Sequence, residues 1–278
     1  DIQEDKIKHL KCIYLVGDHL EKATARKLAK WVFDGGVLAG IGGGGFRDEH
    51  NRPTQLLGEM YGVKEQQLEK HHKIIMSKEE LPRLKPIDEI TWTEQFVKKT
   101  KFPALGVKQT FKPAERSEVM AKYADGSPAV LRKSFGNGFT YLFGSFISSA
   151  YIRTAIPIRP NDRSPLPTGF SHYLPTDFDG ELGDLVTSPC GMAEVRYEYI
   201  TNEPLVETMI LEGPDAVVVV LVNWTPEPKK VKLTVQQLRR ELTKATSVTH
   251  GALGIRRIHL TGSFDVQVDV ADVVVIHK

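Results

Sequence analysis

Between Gly40 and Pro53 the chain reads GIGGGGFRDEHNRP, which sets four consecutive glycines against two acids, a histidine, an asparagine and two arginines. Asp48, Glu49 and His50 are the residue types that general acid–base chemistry uses. Gly43, Gly44, Arg47, Asp48 and Asn51 are those that would line a ligand, through bare backbone amides, a guanidinium, a carboxylate and a carboxamide. A phosphate cradle of the Walker type needs a lysine and a hydroxyl residue directly after its glycines, and here Phe46, Arg47 and Asp48 follow instead. The G-x-G-x-x-G pattern is formally present in GIGGGG, but a dinucleotide fingerprint follows the first strand and opens a helix directly. Asp48 and Glu49 would also set negative charge beside the phosphate. The glycines therefore read first as a turn.

Covalent catalysis fares no better, because a nucleophile elbow needs Ser or Cys on a tight strand-to-helix turn and the loop holds neither. The two cysteines, Cys12 in an apolar run and Cys190 in SPCGM, give neither a disulfide framework nor a closely spaced metal pair. They read as free, partly buried thiols. A carboxylate pair acting on a glycosidic bond needs its groups on opposite sides of the sugar, about 5 to 9 Å apart. Sequence neighbours such as Asp48 and Glu49 diverge, so capping or ion pairs with Arg47 and Arg52 account for them more simply. One histidine beside two acids is a weak metal signal. Neither a metal nor a cofactor is expected. Elsewhere Trp92, Trp224, Tyr197 and Tyr199 have apolar faces that could stack on sugars, but core packing accounts for at least three of the four, and Trp224 is the candidate kept for a glycan.

The elements around the loop decide where it sits. KCIYLVG is a short apolar strand; Asp18 follows as an expected helix N-cap, and Ala25, Leu28, Ala29, Val32 and Phe33 then fall at helical spacing. Gly35 and Gly36 stop that helix and VLAGIGG returns as a strand. The pattern is a βαβ unit, which implies parallel pairing, and the loop leaves the C-terminal end of its second strand, where open α/β sheets place binding crevices. Pro53 suits the first turn of a short helix through TQLLGEMYGV. KIIM, EITWT and VKQTF read as strands. EVMAKYADGSPAVLRKSFGNGFTYLFGS reads as an antiparallel meander turning at ADGSP and GNG, its last strand returning to the sheet. FISSAYIRTA is then a helix closing the first domain.

A proline-, glycine- and aspartate-rich stretch from about Pro157 to Pro189 reads as linker or ordered loop. Beyond it, short strands separated by turns suggest an all-β sandwich. The expected division is thus an α/β domain over 1–156, a connection over 157–189 and a β-sandwich over 190–278. With 278 residues, 41% hydrophobic and 26% charged, the chain has the composition of a globular protein. A net charge of +2, with basic residues interleaved among acids, leaves no nucleic-acid footprint. No apolar run reaches the ~20 residues of a membrane span, and DIQEDKIKHLK lacks the apolar core of a signal peptide.

YLVGDHLEKATARKLAKWVFDGGVLAGIGGGGFRDEHNRPTQLLGEMYGV resembles a segment of the trimerisation domain of family 42 β-galactosidases and related multidomain proteins. There a helix ending in W-V-x-x-G-G leads to a strand and then to a D-E-x-N loop. GSPAVLRKSFGNGFTYLFG resembles the closing hairpin of that domain, and EPLVETMILEGPDAVVVVLVNWT the β-sandwich that follows it. The resemblance implies a flavodoxin-like, class I glutamine-amidotransferase-like parallel sheet without the glutaminase nucleophile. It also implies a homo-oligomer, a trimer by likeness, and a non-catalytic role in a carbohydrate-active protein. Such a sheet begins with a further strand and helix ahead of Lys11, for which the chain has no room. The chain is therefore expected to be the C-terminal part of a longer protein whose N-terminal region is its partner. The alternatives are a hydrolase using Asp48, Glu49 and His50, and a glycan-binding module using Trp224.

Overall fold

The computed structural model describes residues 2, 4, 6–71, 81–93, 101–156, 178–195, 197, 199–236, 244–258 and 261–277. The chain forms two compact units, Asp1–Val195 and Arg196–Lys278.

In the first unit β1 (Cys12–Val16), α1 (Lys22–Phe33) and β2 (Val37–Ile41) form the βαβ unit, with β1 and β2 parallel. α1 buries Ala25, Leu28, Ala29 and Val32, as the spacing requires. Phe33 differs: it is 54% exposed and packs edge-on to Phe135 at 5.9 Å between ring centroids. After β2 come α2 (Gln55–Tyr61), β3 (Val63–His71), a 3-10 turn (Leu81–Arg83), β4 (Asp88–Trp92), β5 (Lys101–Ala104) and β6 (Val107–Pro113). The meander is β7 (Glu118–Tyr123), β8 (Pro128–Phe135) and β9 (Gly138–Phe143), followed by α3 (Ile147–Arg153) and α4 (Gly180–Met192).

Seven strands pair in the order β1-β2-β9-β8-β7-β4-β5. β9 returns to lie parallel to β2, as the meander reading expects. β1, β2 and β9 pair in parallel, and every pairing of this sheet beyond β9 is antiparallel. The β7–β8 and β8–β9 hairpins need only short turns, whereas parallel neighbours need crossovers. Taken over the chain, the described residues are mostly β with few helices. β3 pairs with β6 in a separate two-stranded ribbon.

Helices cover both faces of the large sheet. On one side α1 and α2 pack Leu28, Val32, Leu57 and Met60 against Leu38 and Leu142. On the other, Ile147 and Ala150 of α3 and Leu182 and Leu185 of α4 join Val37, Ala39, Ile41 and Phe143. β2 lies between these layers, and all five of its residues are buried. A Cβ on Gly40 would meet the Tyr61 hydroxyl at 2.7 Å, so the ring closes directly onto bare backbone. Away from the helices, the Lys108 ammonium is enclosed between Asp88 at 3.0 Å and Asp125 at 2.7 Å, over the ring of Tyr123. It holds the start of β4 and the β7–β8 turn to β6.

α4 lies where the sequence suggested connection and the first residues of a sandwich. Asp179 caps it by accepting from the Leu182 amide, and Leu182 and Leu185 are buried. That burial fixes a helix despite its internal Pro189 and three glycines. The first unit thus extends to Val195, well past Ile156. The KIIM strand and residues 157–177 of the expected connection lie outside the described residues.

The second unit is two antiparallel sheets over one core. One holds β10 (Tyr199–Thr201), β13 (Lys229–Val235), β16 (Arg256–Ile258) and β17 (Thr261–Val268). The other holds β11 (Val206–Glu212), β12 (Ala216–Asn223), β14 (Lys244–Ser247), β15 (Gly251–Leu253) and β18 (Ala271–His277). β12 alternates strictly, with Val217, Val219 and Leu221 inward against Val231, Leu233 and Phe264.

Candidate functional site

The ends of parallel β1 and β2 lie side by side, so the residues leaving them meet. Gly45 donates its amide to the Gly17 carbonyl at 3.0 Å, and Arg47 donates to the Asp18 carbonyl at 2.7 Å. Leu20 donates back to the Arg47 carbonyl at 2.8 Å. The glycine-rich loop is thus stitched to the loop after β1. Its glycines are close-approach positions: a Cβ on Gly43 would lie 2.7 Å from the Asp18 amide nitrogen and 2.7 Å from the Gly17 carbonyl carbon. Gly43 also has φ +139, a conformation that side chains disfavour. A Cβ on Gly44 would meet Leu142 at 2.7 Å. Both glycines are buried, and their neighbours are protein.

Asp48 is 2% exposed, covered by the loop it organises. Its Oδ1 accepts from the amides of Arg52 at 2.8 Å and His50 at 3.0 Å, and its backbone pairs with Arg52 and Asn51. The Arg52 amide above all, then that of His50, holds the carboxyl below its ordinary pKa against the opposing effect of burial. Glu49 turns the other way, and its Oε2 accepts from the Lys22 amide at 2.9 Å, at the first turn of α1. That amide is the main cause of the lowered pKa of Glu49. The two acids diverge and serve two backbones. His50 is exposed beside them.

Two residues that sequence reasoning did not assign to a site join this loop. Asp18, expected as a helix cap, instead meets His19 Nδ1 at 2.7 Å and Arg47 Nε at 3.7 Å. Glu49 serves the helix in its place. His19 Nε2 lies 3.1 Å from Asn51 Oδ1, and Arg47 Nη1 donates to Asn51 Oδ1 at 3.2 Å and to its carbonyl at 3.1 Å. Asn51 holds φ +61, which asparagine tolerates better than most side chains. The signal for Asp18 and His19 was topological: if β1 and β2 are parallel neighbours, the residues after both strands share one edge.

A histidine oriented by a carboxylate is half of an acid–base device. Here its second nitrogen is taken up by Asn51, so the cluster of Asp18, His19, Arg47 and Asn51 is a closed polar network at the mouth of the strands. Among the described residues, no group of three His, Cys, Asp or Glu side chains is arranged to hold a metal ion. In the second unit Trp224 is 47% exposed, with Nε1 donating to Glu207 at 3.0 Å. Trp92 is buried in the first unit's core, and Tyr199 packs against the sandwich core. Tyr197 is 62% exposed.

Neither a family model nor a curated protein sequence matches the chain. Solved structures do match. Gan42B, a GH42 β-galactosidase from G. stearothermophilus, aligns over 99% of this chain and 33% of its own at 16% identity, with a TM-score of 0.62. The β-galactosidase from Bacillus circulans sp. alkalophilus aligns over 99% and 34% at 15% identity, with a TM-score of 0.63. A third, the β-galactosidase from Rahnella sp. R3, covers 96% of this chain and 32% of its own at 12% identity, with a TM-score of 0.56.

These likenesses establish the fold. The chain has the fold of a region of GH42 β-galactosidases, and it spans about a third of the length of these structures. Among the described residues no helix is long and apolar enough to cross a membrane.

Proposed function

We propose that the chain is a non-catalytic assembly or accessory region of a larger, glycoside hydrolase-like carbohydrate-active protein. Its first unit would be a flavodoxin-like domain related to class I glutamine amidotransferases, remodelled by hairpins. It would self-associate as a homo-oligomer and act together with a preceding catalytic region. The observation that carries this reading is how the loop acids are spent. Asp48 serves the amides of Arg52 and His50, Glu49 serves the amide of Lys22, and the two diverge instead of facing a shared bond. The GH42 fold likeness supports the carbohydrate context.

Light scattering over a range of concentrations tests the assembly. An oligomer whose mass is a fixed multiple of the 31.1 kDa chain supports it, and a strict monomer at high concentration counts against self-association by this region. Glycoside turnover by the chain that vanishes in Asp48→Asn or Glu49→Gln would favour the hydrolase alternative. A second reading, a glycan contact in the second unit, draws on the exposure of Trp224 and its tether to Glu207. Glycan binding lost on Trp224→Ala with the fold retained would favour it.

A further inference from the structure

The chain's two cysteines are far apart in sequence and adjacent in space. Cys12 opens β1, which is an edge strand of the seven-stranded sheet, and Cys190 lies in the last turn of α4. Cys190 is among the groups that act on the Cys12 thiol. Two residues near the start of β1 hold α4 along this edge. Lys11 Nζ donates to the Glu194 carbonyl at 3.3 Å, and the Tyr14 hydroxyl donates to the Val186 carbonyl at 2.6 Å while lying 3.5 Å from Cys190 Sγ. Cys12 and Tyr14 are two apart on a strand and therefore share a face. Val186 and Cys190 are four apart on a helix, and Glu194 continues that spacing just beyond its end. Two matching rows thus fix which sulfur faces which. Both cysteines are half-buried.

We infer that Cys12 and Cys190 form an oxidisable dithiol, which a low-molecular-weight disulfide such as oxidised glutathione closes into a bond stapling α4 to β1. Cys190 thiolate attacks one glutathione sulfur, giving a mixed disulfide and releasing one glutathione thiol. Cys12 thiolate then attacks the Cys190 sulfur and displaces the second glutathione. Two electrons and two protons leave the protein pair, and one glutathione disulfide becomes two thiols. The sulfurs must close to about 2 Å, which rotation of the two side chains and a slide of α4 supply.

The reduced pair is protected. Burial first, and then the neighbouring Cys190, push the Cys12 thiol up to about 12, so Cys12 does not react ahead of Cys190. Once Cys190 is a mixed disulfide, the Cys190 share of that upward push is gone while the share from burial remains, so the second step is eased but stays slow. A bond here would close almost the whole first unit into one covalent loop and anchor its last helix, the element directly before the second unit. The inference is independent of the proposed function.

The full 278-residue chain, equilibrated in buffers of rising oxidised-to-reduced glutathione ratio and then alkylated, gives the test. The expected product is monomeric by non-reducing electrophoresis, has lost two hydrogens, and yields a Cys12–Cys190 cross-linked peptide. Proteolysis within α4 is expected to slow at least several-fold in that form, and Cys12→Ser and Cys190→Ser are expected to abolish both effects. The inference is overturned if, in the wild type, both thiols remain alkylatable in oxidised glutathione. It is equally overturned if the only products are stable glutathione adducts or disulfides between chains. The wild-type mapping decides the matter even where a serine variant fails to fold.

Discussion

Glu49 Oε2 lies 2.9 Å from the amide nitrogen of Lys22, so the loop after β2 supplies the cap for the helix before it. Glu21, at the N-cap position itself, makes no side-chain cap bond. The loop and the start of α1 are therefore one cooperative piece, with a negative charge at the positive end of the helix dipole. Glu49→Ala should lower the melting temperature by a few degrees and speed hydrogen exchange at the Lys22 amide, while exchange in the β7–β9 meander stays unchanged. Equal acceleration in both places would contradict the coupling.

Asp48 and Glu49 have folded-state pKa values below their unfolded ones, as does Asp125, held down chiefly by Lys108 and then Ser127. The native state thus binds fewer protons than the unfolded chain. Their contribution is full above the unfolded carboxylate range of about 4 and is lost as pH falls through the lower folded values. Urea denaturation at pH 7, 5 and 3 should show the loss only at the lowest pH. Asp48→Asn keeps an Oδ1 acceptor for both loop amides, so it should fold at pH 7 and show a shallower acid loss. An unchanged acid slope would remove Asp48 from this account.

Gly43→Ala forces a Cβ against the Asp18 amide and the Gly17 carbonyl, both backbone, at a φ that alanine resists. Overpacking and backbone strain together predict a loss of about 3 kcal/mol. Gly126 also has positive φ but open space around it, and Gly126→Ala there should cost only the strain. Chemical denaturation of the two variants separates the contributions, and equal losses would rule out the close approach.

Lys108 is enclosed, with its side chain 7% exposed, and Asp88 beside it is 15% exposed. Lys108→Met leaves a buried carboxylate without its cation and should cost about 3 kcal/mol. Adding Asp88→Asn removes the stranded charge and should recover part of that loss. A double-mutant cycle measures the coupling, and strict additivity would show that the pair does not interact.

What the sequence disclosed follows the range of the forces involved. The stripe of Ala25, Leu28, Ala29 and Val32 and the GNG turn between β8 and β9 are local signals, and both elements formed where they point. β3, VKEQQLEKH, has no apolar alternation and became a strand through pairing with β6. α4 reads as a loop because glycine and proline lower its intrinsic helicity, and burial of Leu182 and Leu185 overrides that weakness. Asp18 misled because an acid after a strand matches an N-cap locally, while the residue that fills the role, Glu49, is remote in sequence. The loop's residues were legible, but their obligations to distant backbone were not.

β2 is buried on both faces, and so VLAGI has no polar side to tell its neighbours which way to align. Strands of this kind are prone to register slips, because hydrophobicity alone accepts either alignment. Here the ambiguity is broken by an absence of side chain. Gly40 is the position over which the Tyr61 hydroxyl closes, and a shift by one residue would bring Ala39 or Ile41 under that ring, where even a methyl group collides. A single missing carbon thus aligns β2, and with it every group that leaves the strand's end.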